Sequence, residues 1–113
     1  MIIAVDFDGT LCKNEWPDIG VPNDILIHYL QARKRQGDKL ILWTCRTDQM
    51  LDDAIAWCTT LGLTFDAVND NLPESKERFC GNSRKIFADL YIDDRAHGYD
   101  RTQFAIFRYE YVE

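Results

Sequence analysis

Apolar runs that lack polar alternation, separated by segments of helical period, constrain this chain more than any other feature. The runs are IIAVD at Ile2–Asp6, KLILWT at Lys39–Thr44, FDAVN at Phe65–Asn69, DLYIDD at Asp89–Asp94 and FAIFRYE at Phe104–Glu110. A strand covered on both faces has no reason to alternate, and such strands belong to parallel sheets whose crossovers are helices. Two crossovers read clearly. PNDILIHYLQARKRQG predicts a helix capped by Asn23 or Asp24 and closed by Gly37, with Ile25, Leu26, Tyr29 and Leu30 facing inward. TDQMLDDAIAWCTTLG predicts a second, capped by Thr47 or Asp48 and closed by Gly62, with Leu51, Ile55, Cys58 and Leu61 inward. The expected fold is one α/β domain over residues 1–113: a Rossmann-like, doubly wound parallel sheet of about five strands with helices on both faces. Two stretches, Cys12–Val21 and Asn69–Arg84, carry no regular pattern and read as ordered loops or a mobile rim.

Composition narrows the function classes. With 113 residues, the chain is sized for one hydrophobic core. No apolar run approaches the roughly 18 residues that span a bilayer, and no secretion signal is visible, so the expected address is the cytoplasm and no membrane partner is expected. The net charge is −6, and duplex nucleic acid needs a basic footprint that the sequence lacks. The run ARKRQ at 32–36 sits late in a helix, where cations complement the dipole, and reads as a solvated face. Cys12, Cys45, Cys58 and Cys80 form no C-x-x-C pair and read as small buried hydrophobes, Cys45 being the exception at a strand end. His28 reads as surface; for His97, just after the acidic pair, a rim role is the lesser alternative; Trp16, Trp43 and Trp57 read as core or lid packing.

The first strand ends on two carboxylates, Asp6 and Asp8, followed by Gly9. An ionised carboxylate inside a buried strand is too costly, so both acids must lie at or beyond the strand's carboxyl end, where ligands bind in open α/β sheets. A second acidic pair, Asp93–Asp94, ends another apolar run. Parallel topology brings both ends to one sheet edge. Carboxylates crowded there suit a hard divalent cation with oxygen ligands.

These residues stand in a familiar order. DFDGT resembles the first motif, D-x-D-x-T, of the haloacid dehalogenase-like phosphohydrolase superfamily. LILWTCR resembles its second motif, an apolar strand ending in Ser or Thr. Lys85 in SRKIFADLYIDD matches the basic third motif, with Lys76 and Arg84 as competitors, and IDD matches the acidic fourth. The set spans Ile2–Arg95.

The resemblance implies a phosphatase. Asp6 would attack phosphorus to give an aspartyl-phosphate, and Asp8 would protonate the leaving oxygen and then activate water. Thr44 and Lys85 would hold the phosphoryl group. Mg²⁺ would be held by an Asp6 oxygen, the Asp8 backbone carbonyl and Asp93 or Asp94. The superfamily's ion pumps carry Thr where this chain has Asp8, which favours hydrolysis over transport. Arg46 reads equally as a phosphate contact or a salt-bridged side chain.

Larger relatives insert a cap after the first motif or between the second and third. Neither gap here holds a folded lobe, so a capless enzyme is expected. Its phosphorylated substrate would be macromolecular, or small with a second copy of the chain or the 69–84 loop excluding water. Two rival classes are a non-catalytic phosphate- or metal-binding regulatory module, and a phosphoacceptor domain. The latter carries its aspartate well inside the chain rather than in a first strand followed by D-G-T.

Overall fold

A computed structural model describes residues 1–96 of the chain. The expected FAIFRYE strand and His97 lie outside the described residues. Within them the order is β1 (Ile2–Val5), β2 (Cys12–Glu15), β3 (Asp18–Pro22), α1 (Asp24–Arg35), β4 (Lys39–Leu42), α2 (Asp48–Thr60), β5 (Ala67–Val68), α3 (Pro73–Arg78) and β6 (Leu90–Ile92).

Four of the expected strands form one sheet in the order β5-β4-β1-β6, and every pairing is parallel. Val5 stands opposite both Leu42 and Ile92. The ladder continues beyond the strand ends, with Asp6 N–H donating to the Ile92 carbonyl (2.9 Å) and Trp43 N–H to the Val5 carbonyl (2.9 Å). The residues that follow β1, β4 and β6 therefore emerge at one edge.

Alternation along the strands divides the core. Ile3, Val5, Leu40 and Leu42 face Leu26, Ile27 and Leu30 of α1 and Ala54 and Cys58 of α2. On the opposite face Ala4 and Ile41 meet Leu72, Ile86 and Ala88, with Ile2, Trp43 and Ala67 partly buried around them. Both faces are covered, which is why the strands read as continuous apolar runs. Each fully buried aliphatic side chain contributes roughly 1.5–3 kcal/mol.

The helices differ from their reading in detail. Asn23 is the cap of α1, accepting from Leu26 N–H. The inward face is Leu26, Ile27 and Leu30, while Ile25 is exposed and Tyr29 only partly buried. Two adjacent apolar stripes, 25/26/29/30 and 26/27/30, are both helical, and docking on the sheet selects the second. In α2, Ala54 and Cys58 are buried while Leu51, Ile55 and Leu61 pack at the margin.

The two supposedly irregular stretches contain structure. Residues 12–22 form an antiparallel hairpin, β2–β3, with a register shift between Cys12 and Asn14. Its residues are mostly exposed, so no buried face imprinted a pattern on the sequence. The 69–84 stretch holds α3, with Pro73 in its first turn. The cysteines also divide. Burial pushes the Cys12 thiol up to about 11 and the Cys58 thiol up to about 12, as expected of core thiols. Cys45 and Cys80 are exposed, which corrects the buried reading of Cys80.

Candidate active site

Phe7 builds the site by pointing the other way. It is fully buried and meets Trp57 edge-on at 5.5 Å, so its two neighbours, Asp6 and Asp8, are turned toward the cleft at the sheet edge. The chain then turns tightly, the Phe7 carbonyl accepting from Thr10, Leu11 and Cys12 N–H. Gly9 makes the turn with φ +86°, and a Cβ there would sit 2.5 Å from an Asp94 oxygen. Only glycine satisfies both conditions. The turn is fastened to α1 as well, because the Asn23 side-chain amide donates to the Thr10 carbonyl (3.1 Å).

Thr10 is fully buried and joins the two acidic pairs. Its oxygen accepts from Asp94 N–H (3.0 Å), and its hydroxyl lies 3.1 Å from Asp6 Oδ2 and 3.4 Å from Asp94 Oδ1. Ligand atoms of Asp6, Asp93 and Asp94 lie within 4.8 Å of one another. Burial, then the Asp93 charge and the Asp94 hydrogen bond, push the Asp6 carboxyl up to about 8. Three crowded carboxylates, one forced to keep its proton, form an oxygen-only donor set that suits a hard divalent cation.

The Asp8 carboxylate lies outside this cluster. Both its oxygens accept from Arg46, Nε at 2.9 Å and one terminal nitrogen at 2.8 Å. Arg46 is 3% exposed, and the Asp8 hydrogen bond holds its pKa above the ordinary range. The same guanidinium donates to the Pro17 and Asp18 carbonyls at the hairpin tip (3.1 and 2.9 Å) and lies 5.1 Å from the Phe7 ring.

Thr44 stands just beyond β4. Its N–H donates to the Asn69 side-chain oxygen (2.8 Å), while its hydroxyl oxygen accepts from Arg46 N–H (3.1 Å). That leaves the hydroxyl proton to be donated into the cleft. The cleft itself encloses about 230 Å³ and is lined by Asp6, Asp8, Thr44, Asp93 and Asp94, with Asn14, Trp16, Cys45, Arg46 and Arg95 completing it.

Lys85 is not among these residues. Its ammonium lies over the Tyr91 ring, 5.5 Å from the centroid, on an exposed side chain. Lys76 is also engaged elsewhere, 2.7 Å from Asp70. Among the described residues, the cations lining the cleft are Arg46 and Arg95. Sequence reasoning passed over Thr10, although it is the final residue of DFDGT, and left Arg46 open. Asn14 drew no reading, and Trp16, read as core or lid packing, is 61% exposed and lines the cleft; nothing in the sequence ties that hairpin to Arg46.

No family model matches the chain, and no curated protein matches it. Among solved structures it is similar to a conserved protein from Bacteroides thetaiotaomicron, at 41% identity over 93% of this chain and 86% of that one, with a TM-score of 0.79.

Proposed function

The chain belongs to one family with this Bacteroides thetaiotaomicron protein, and from its cleft we propose that it is a Mg²⁺-dependent phosphatase acting on a phosphomonoester through an aspartyl-phosphate. The observation that carries this reading is the meeting of Asp6, Asp93 and Asp94 beside Thr44 and two arginines in one cleft. The order of motifs that resembles the haloacid dehalogenase-like superfamily supports it.

Asp6 attacks phosphorus in line, and the bond from phosphorus to the leaving oxygen breaks. Asp8 gives the leaving oxygen a proton and later takes one from the water that cleaves the acyl-phosphate. Thr44 donates its hydroxyl to a phosphoryl oxygen, and Arg95 replaces the Lys85 of the sequence reading as the rim cation. Asp6, Asp93 and Asp94, with the Asp8 carbonyl, would hold Mg²⁺, which when bound supplies positive charge against the phosphoryl oxygens and keeps Asp6 ionised. Thr10 orients Asp6 and Asp94 toward one another.

The same reading takes β5-β4-β1-β6 as the described part of a doubly wound sheet in a capless cytoplasmic enzyme. Its substrate is a phosphorylated small molecule or macromolecule, and the net charge of −6 makes duplex nucleic acid a poor partner. Among the described residues no helix is long and apolar enough to cross a membrane.

One observation favours a second reading, a non-catalytic phosphate- or metal-binding module: Arg46 occupies both oxygens of Asp8, which must yield one to act as an acid. Turnover of p-nitrophenyl phosphate, with and without Mg²⁺ and beside Asp6→Asn, separates the two. Metal-dependent turnover lost in Asp6→Asn supports the enzyme. Tight phosphate binding with no turnover across a broad phosphoester panel would favour the module.

A further inference from the structure

Arg46 is nearly inaccessible, and its guanidinium hydrogen-bonds to two separate parts of the cleft. One is the Asp8 carboxylate, held by the guanidinium fork at 2.9 and 2.8 Å. The other is the hairpin tip, held through the Pro17 and Asp18 carbonyls. The guanidinium carbon lies over the buried Phe7 ring, 5.1 Å from its centroid. The arginine's own backbone is fixed by Thr44, whose hydroxyl accepts from its N–H. Beside the clasped carbonyls stands Trp16, 61% exposed and lining the cleft. A mostly exposed two-stranded hairpin is marginal in water by itself, so a clasp of this kind helps to place it.

We propose that Arg46 is a positioning residue that couples the hairpin tip to Asp8, so that the hairpin wall of the cleft and the Asp8 carboxylate are placed by one guanidinium. Lysine cannot replace it, because an ammonium offers no rigid fork to serve a carboxylate and two carbonyls in one plane. The kinetic consequence rests on the phosphatase reading; the structural one does not.

Backbone amide exchange is measured over residues 13–20 in the wild type, Asp8→Asn and Arg46→Lys, with the β1 and β4 amides as the internal reference. Asp8→Asn is the discriminating variant, since Arg46 donates both to the Asp8 carboxylate and to the hairpin-tip carbonyls. The expected result is exchange faster by about tenfold in the hairpin and unchanged in β1 and β4, for both variants. Hairpin exchange that stays at the wild-type rate in Asp8→Asn, or that rises only in step with β1 and β4, overturns the coupling.

With p-nitrophenyl phosphate and Mg²⁺, Arg46→Lys is expected to lower kcat by about a hundredfold, the scale of a 1 Å misplacement, with KM changed by less than about threefold. A loss carried by KM alone, or full activity in Arg46→Lys, also overturns it. A wild type without turnover defeats the phosphatase reading instead, and the exchange comparison still decides the coupling.

Discussion

Replacing Gly9 by alanine should damage the carboxylate cluster out of proportion to one methyl group. The new Cβ would lie 2.5 Å from Asp94 Oδ2 and 2.9 Å from its Cγ, and the backbone there has φ +86°. Gly37 supplies the control, because its φ is +99° and a Cβ there meets nothing within 4 Å. Left-handed strain alone costs about 1–2 kcal/mol and is common to both substitutions. Asp94 cannot retreat freely, since its N–H is bonded to the buried Thr10 oxygen. Moving it breaks that bond and leaves buried polar groups unpaired, for about 1–3 kcal/mol more. Gly9→Ala should therefore lose about 2–5 kcal/mol in urea unfolding, and Gly37→Ala about 1–2 kcal/mol. Mg²⁺ titration followed by calorimetry should show affinity lowered at least about tenfold in Gly9→Ala and unchanged in Gly37→Ala. Equal losses of stability, with equal Mg²⁺ affinity, would refute the claim that Gly9 exists to admit Asp94.

Thr10→Val, which keeps the shape but removes the link between Asp6 and Asp94, should cost about 1–3 kcal/mol by denaturant unfolding and abolish most Mg²⁺-dependent turnover. A second expectation concerns pH without metal. Asp6 is raised from 3.8 to about 8, so the folded chain keeps a proton that the unfolded chain releases. Metal-free stability should fall as pH rises from about 4 to about 8, and saturating Mg²⁺ should flatten that fall in thermal melts. Native protein treated with iodoacetamide should be alkylated at Cys45 and Cys80 only, with Cys12 and Cys58 reacting after denaturation, as read by intact mass.

Sequence carried the main sheet because its four strands are short and rich in apolar residues, and two of them run directly into carboxylates that are costly to bury. Asp6 and Asp93 mark the ends of β1 and β6 for that reason. Parallel topology then made the meeting of Asp6 with Asp93 and Asp94 a deduction rather than a guess. Other features depended on partners distant in the chain. Ile25 and Ile27 are equally apolar, and only the docking of α1 decides that the second is buried. The β2–β3 hairpin is mostly exposed and carries no regular apolar pattern, and its tip is held by Arg46, 28 and 29 residues further on. Lys85 was matched by motif order, but its direction depends on how the segment after α3 turns, and it leaves over Tyr91.

The central claim is that Asp6 takes a phosphoryl group beside a cation held by Asp93 and Asp94. It is tested most directly by brief exposure to acetyl phosphate with Mg²⁺, borohydride reduction and peptide mass mapping. Trapping at Asp6 in the wild type, absent with EDTA and absent in Asp6→Asn, is the predicted result. Turnover of phosphoesters with no adduct at Asp6 under any quench, or an adduct that forms equally well in Asp6→Asn, would contradict it.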